Sequence, residues 1–277
     1  MNQPAPFGSR LEAAVQTRGR LCVGIDPHAS LLEAWGLSDD VASMERFALT
    51  ATEAVAPVAS VVKPQSAFFE RFGSAGIAVL ERVVTTAREA GALVLLDVKR
   101  GDIGSTSQAY ADAYLDPASP LAVDAITASP FLGVGSLDPM VTTAQRHGAG
   151  VFVLALTSNP EGPQVQQART SSGRTVADEV LGRLRELNAD APGWGSFGAV
   201  VGATVSDPAE DLDMGGPLLA PGYGAQGGTV ADMQRVFGAA AARVLPSSSR
   251  EVLAAGPAPA ALRAATERGN EAVAALG

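Results

Sequence analysis

Eight short apolar segments that alternate with helical ones predict an α/β protein of the (β/α)8 (TIM) barrel class. Three observations carry the prediction. Strands are expected at residues 20–25, 60–62, 93–98, 122–127, 150–157, 197–203, 217–220 and 242–245, with a helical pattern after each. Runs such as GVFVLALT at 150–157 are apolar throughout, as strands covered on both faces require. The chain has 277 residues, 47% hydrophobic and 18% charged, and no linker divides it. One barrel domain over residues 1–277 is therefore expected. A doubly wound open sheet is the rival, because alternation alone does not demonstrate closure.

The chain opens with a helix over Phe7–Arg18, where Leu11, Ala14 and Val15 share helical spacing. The first strand stops at Asp26-Pro27, since proline disfavours helix at the residue before it. Ser38 is expected to cap a helix over 39–56, with two aspartates in its first turn. The second strand ends at Lys63-Pro64, and helix follows over 68–90 with a break near Gly73 and Gly76. Further helices are expected at 107–115, 137–147, 175–187, 230–240 and 258–275, with a short one at 207–212. The polar stretch 158–174, SNPEGPQVQQARTSSGR, directly follows the fifth strand. It reads as a long active-site loop, either a flexible cover or a disordered insertion.

Composition narrows the partners. A net charge of -9 and a pI near 4.8 disfavour a broad nucleic-acid surface, although a local cationic pocket can still take a small anion. No apolar run is long enough for a membrane span, and MNQPAPFGSR carries no apolar signal core. Cys22, the single cysteine, cannot form an internal disulfide; within LCVGI it suits core packing and a cytoplasmic setting. His28 and His147 lie far apart and no cysteine cluster exists, so a structural zinc site is not expected.

Chemistry concentrates in residues 93–106, LVLLDVKRGDIGST. Alternate side chains of a strand share a face, so Asp97 and Lys99 point the same way at the strand's end. Asp102 follows where the chain turns, with Gly101 and Gly104 permitting unusual backbone angles. The bland reading is a surface ion pair after a core strand. In a barrel, however, strand ends converge on one mouth. Asp26, Lys63, Asp97, Lys99, Ser158, Gln226 and Arg250 all lie at such ends or just beyond them. A protonated lysine beside a carboxylate can deliver a proton to a developing carbanion. Metal binding by the two aspartates ranks second, because interleaved lysines repel a divalent cation. PGYGAQGG after the seventh strand and Arg250 after the eighth occupy the usual phosphate position of barrels.

DVKRGDIGST resembles the D-x-K-x-x-D-I-x-x-T signature of the orotidine 5′-phosphate decarboxylase family. The resemblance extends to GIDP, Lys63, PGYGAQGG and SSSR, and is nearest to the family's longer bacterial subgroup. It implies cofactor-free decarboxylation of orotidine 5′-monophosphate to UMP in de novo pyrimidine biosynthesis, by a cytoplasmic homodimer. Lys99 would then protonate C6 of the pyrimidine, and Asp97 would lie against the departing carboxylate. Lys63 would hold the charged array and reach the ribose, while Asp26 would bind a ribose hydroxyl with Thr106 nearby. Ser158 would face the pyrimidine, and Gln226 and Arg250 would take the phosphate. Asp102 would cross the dimer interface into the partner's site. Because the D-x-K-x-x-D core is shared with phosphosugar decarboxylases, a metal-dependent lyase on the same barrel is the alternative reading. A barrel that binds a phosphate ligand without turnover is a third.

Overall fold

The apolar runs pair side by side in sequence order. The structure is a computed structural model that describes residues 4–206, 208–224 and 227–276. Its strands are β1 (Cys22–Ile25), β2 (Val61–Pro64), β3 (Leu93–Arg100), β4 (Ala125–Ala128), β5 (Gly150–Leu156), β6 (Phe197–Val201), β7 (Leu218–Pro221) and β8 (Val244–Ser248). All neighbours are parallel, and β1 pairs with β8 as well as with β2, so the sheet closes into a barrel. Closure removes the open-sheet alternative.

Strand alternation divides the apolar residues into two cores. Cys22, Val61, Leu95, Ala125, Phe152, Val200, Leu219 and Leu245, one from each strand, form a cluster with Phe7 and Leu11. Their neighbours in sequence, such as Val94 and Leu96, belong to the larger cluster packed beneath the helices. The helix Phe7–Arg18 therefore contributes a plug: the Phe7 ring stands edge-on to Phe152 with centroids 6.0 Å apart. The fit at that end leaves no room at Gly150, where an added Cβ would lie 2.4 Å from the Phe7 ring. On β3 the inward parity of Leu95 passes to Asp97 and Lys99, which is what turns a sequence spacing into a shared site.

Several boundaries shift for identifiable reasons. The helix Val41–Val55 is capped by Asp40, whose side chain accepts from Ser43 N at 2.8 Å, so Ser38 is not the cap. The break expected near Gly73 and Gly76 does divide the helical segment over 68–90, into Ala67–Glu70 and Gly73–Glu89, with Gly73 at φ +61°. No helix forms over 208–212 among the described residues. There the Asp211 carboxylate takes Asp213 N and Arg185, bonds that hold a turn in place of a helical ladder. The strands β2, β3 and β8 run past their apolar residues into Lys63-Pro64, Lys99-Arg100 and Ser247-Ser248. Residues 158–174 contain a helical turn, Pro163–Gln166, and an Arg169–Thr175 bridge. Gln166 ties that turn back to Thr157 with bonds of 2.9 and 2.7 Å.

Because Phe152 fills the barrel between the plug and the mouth, Phe152→Ala is expected to cost about 3–5 kcal/mol, as for large cavities elsewhere. Chemical denaturation of the variant beside the parent chain measures it; a loss below about 1 kcal/mol would mean the interior is not close-packed there.

Candidate active site

The C-terminal ends of the strands enclose a cavity of about 280 Å3. Asp26, Lys63, Asp97, Lys99, Ser158 and Arg250 all line it, so six of the residues singled out by sequence share one space. Asp102 and Thr106 do not line it: both sit on the chain leaving β3, with Asp102 half-buried and Thr106 exposed. Asp102 Oδ1 accepts the Ile103 N–H at 2.8 Å. Gln226 lies outside the described residues.

Lys63 is 5% exposed, which contradicts a surface lysine that merely snorkels. Its ammonium lies 3.6 Å from Asp97 Oδ2. Burial works against the charge, but Asp26 and Asp97 more than offset it, and the pKa rises above the ordinary lysine range. Asp97 is the hub of the array. Lys99 Nζ lies 2.7 Å from both its oxygens, and Thr127 Oγ1 donates to Oδ1 at 2.7 Å. Burial alone would raise its pKa; Lys63, Lys99 and these hydrogen bonds together hold it below the usual carboxylate range. At an effective dielectric near 20, each pair at about 4 Å contributes roughly 4 kcal/mol of attraction before desolvation. Beneath Lys63, burial pushes the Cys22 thiol up to about 12, so it stays neutral at pH 7 and adds no charge to the array.

The backbone is arranged for this geometry. Lys99 has φ +44°, the one non-glycine residue with positive φ among the described residues. The β3–β4 register shifts between Leu96 and Arg100, a bulge at the residues that carry the charges. Gly101 is required by proximity, since a Cβ there would lie 2.2 Å from the Ser129 carbonyl oxygen.

Opposite the array stand the loops after β7 and β8. Gly222, Gly224 and Gly227 all have positive φ, and a four-residue helix begins at Arg250. Ser247, Ser249, Tyr223 and His28 line the same cavity. Asp26 Oδ1 and Ser249 Oγ are buried with no hydrogen-bond partner among the described residues, two unpaired polar atoms on residues that line the mouth. Sequence reasoning missed Thr127, Ser249 and His28. Ser249 lies within SSSR, a motif from which only the arginine was given a role; Thr127 had no signal, because its value lies in what it faces across the sheet.

This geometry defines a class: a barrel enzyme with lysines and carboxylates paired at the ends of the early strands and a glycine-rich loop with an arginine after the last two. The model of the orotidine 5′-phosphate decarboxylase / HUMPS family matches residues 19–265. A Nocardioides protein named orotidine 5′-phosphate decarboxylase is 72% identical over 251 residues, covering 90% of this chain and 92% of that one. One of the same name from Streptomyces coelicolor is 60% identical over 264 residues, 95% of each. A crystal structure from Streptomyces avermitilis superposes with a TM-score of 0.97 at 59% identity, covering 99% of this chain and 97% of that one. The Leishmania donovani OMP decarboxylase structure gives a TM-score of 0.77 at 31% identity, with 98% of each chain covered. The chain belongs to the orotidine 5′-phosphate decarboxylase / HUMPS family. Among the described residues no helix is long and apolar enough to cross a membrane.

The charge array has a defined pH response. The pKa of Asp97 is depressed in the fold, so its stabilisation is present above the ordinary carboxylate value of about 3.9 and is lost as pH falls through the depressed value. The pKa of Lys63 is raised, so its stabilisation is complete below about 10.4 and is lost as pH rises through the raised value. Stability from these two groups should be flat between about pH 5 and 10. Urea midpoints from pH 2.5 to 7 should fall on the acid side, and Asp97→Asn should make that fall shallower. An unchanged acid slope in Asp97→Asn would contradict the assignment.

Proposed function

We propose that this protein is a carboxy-lyase that converts orotidine 5′-monophosphate to UMP and CO2 in de novo pyrimidine biosynthesis, without metal or cofactor. The observation that carries the reading is the Lys63–Asp97–Lys99 array in a chain 72% identical to a protein of that name. In the reaction the bond from C6 to the carboxylate breaks and its electron pair stays on C6. CO2 leaves, and Lys99 Nζ supplies the proton that completes UMP. Asp97 lies against the substrate carboxylate, so that like charges meet in the ground state and separate as CO2 departs. Asp26 and Thr106 serve the ribose, with Thr106 offered from a partner chain. Ser158 faces the pyrimidine, while Gln226 and Arg250 hold the phosphate.

The protein acts as a homodimer in this reading, with Asp102 and Thr106 reaching the partner's cavity. Two facts support it: both residues lie off their own chain's cavity, and Ile103, Phe131 and Leu132 are 62%, 76% and 52% exposed on the neighbouring loops. A cytoplasmic setting suits the buried, unpaired Cys22.

Protein stripped of metal and assayed in chelator should consume orotidine 5′-monophosphate, followed by the absorbance change, and Lys99→Ala should lower kcat by on the order of 10³-fold. A folded preparation that does not turn over would sink the reading. Loss of activity in chelator, restored by a divalent cation, would favour the metal-dependent lyase of the same barrel. Tight UMP binding without turnover, unaffected by Lys99→Ala, would favour a binder.

Asp102→Ala and Lys99→Ala chains, each inactive alone, should regain up to about a quarter of parental activity when mixed, through one hybrid site with both groups intact. No recovery despite demonstrated subunit exchange would place Asp102 in its own chain's chemistry.

A further inference from the structure

We infer that Thr127 on β4 is a positioning residue, whose hydroxyl sets the backbone of Lys99 and the carboxylate of Asp97 for proton delivery; this rests on the decarboxylase reading. Thr127 is 1% exposed, and both hydrogen bonds of its hydroxyl go to the array. Lys99 N–H donates to Thr127 Oγ1 at 2.9 Å, and Thr127 Oγ1 donates to Asp97 Oδ1 at 2.7 Å. The direction of both bonds is fixed. An amide N–H can only donate, so the threonine's single proton is left for Asp97, which accepts it as a carboxylate.

The bulge explains why a side chain is needed there. Leu96 pairs with Ile126 and Arg100 with Ala128, so residues 97, 98 and 99 of β3 face Thr127 alone on β4. A regular ladder would give the Lys99 N–H a carbonyl partner; here the hydroxyl replaces it. That bond is made by a residue at φ +44°, a conformation that costs of order 1 kcal/mol or more for a side chain such as lysine and persists only where the surroundings impose it. Lys99 Nζ is thereby brought within 2.7 Å of both Asp97 oxygens although its side chain is 46% exposed. Without the hydroxyl, a lysine this exposed has many rotamers open to it, and the Asp97 oxygen loses one of its donors.

The comparison is between Thr127→Val, which keeps the shape and removes both bonds, and Thr127→Ser, which keeps the hydroxyl. Thr127→Val should lower kcat about a hundredfold, as for a misplaced catalytic group, with KM for orotidine 5′-monophosphate changed less than threefold. Thr127→Ser should recover most of the loss, and UMP affinity should be unchanged in both. In a crystal structure of Thr127→Val, Lys99 should leave the left-handed region and its contact with Asp97 should open. The inference is overturned if Thr127→Val turns over at the parental rate, if Thr127→Ser is as impaired as Thr127→Val, or if UMP binding is lost in step with kcat. Parental protein that does not act on orotidine 5′-monophosphate would overturn the functional reading instead. The crystallographic comparison would then still decide the role of Thr127, against it if Lys99 keeps its conformation.

Discussion

A lysine ammonium that is 5% exposed cannot stand without carboxylates, and the mouth of this barrel is arranged to supply them. Lys63 is charged because Asp26 and Asp97 approach it from β1 and β3, the strands that flank β2. Asp97, drawn inward to serve Lys63, has remaining acceptor capacity that Lys99 and Thr127 take up. Four strands are thus coupled by one compensation problem: β1 and β3 supply the carboxylates, β2 the buried ammonium, β4 the hydroxyl. Such a cluster is not chosen for stability, since an apolar replacement of equal volume would serve a core as well or better. Its presence at the end of otherwise apolar strands is what marks the mouth as functional.

Much of this was legible in the sequence. The helix Phe7–Arg18 has the bounds that its spacing predicts, and all eight strands lie where the apolar runs are. Parity told that Asp97 and Lys99 share a face, and barrel convergence brought Lys63, Asp26, Ser158 and Arg250 to one cavity. What stayed hidden has a common physical origin. The ends of β2 and β8 were read short because polar residues such as Lys63 and Ser247 look like loop, whereas pairing there continues along the neighbouring strand. Asp40 rather than Ser38 is the cap because the helix begins at Val41, which places the Asp40 carboxylate on Ser43 N. Thr127 and the β3–β4 bulge are relations between strands, and one strand's sequence carries no record of what lies opposite.

The acidic composition and the anionic ligand are compatible because charge is sorted by location. Within the cavity, Lys63 and Lys99 are balanced by Asp26 and Asp97, leaving Arg250 as the excess cation beside the glycine loop. With one excess cation in the cavity and a total of -9, the rest of the chain carries a net charge of -10, screened from the mouth at distances beyond about 10 Å in physiological salt. His28 does not alter that balance near neutrality. Its ring packs on Phe68 with centroids 4.1 Å apart, and burial lowers its pKa, so it stays uncharged beside Arg250.

The two lysines of the array differ in one respect that fits the separate tasks proposed for them. Lys63 is enclosed, held by carboxylates from two sides, and its raised pKa makes it a poor proton source; it is a fixed charge. Lys99 is anchored at the same carboxylate yet keeps a side chain 46% open, which gives the proposed donor contact with solvent. A single buried lysine could not do both, because enclosure that fixes its charge also cuts it off from water. Placing the donor on a bulge at φ +44°, rather than on a regular strand, lets the exposed lysine turn back onto the carboxylate that the buried one has already fixed. In the proposed reaction, the positive φ at Lys99 is what lets one carboxylate hold both an immobile cation and an exchangeable proton donor.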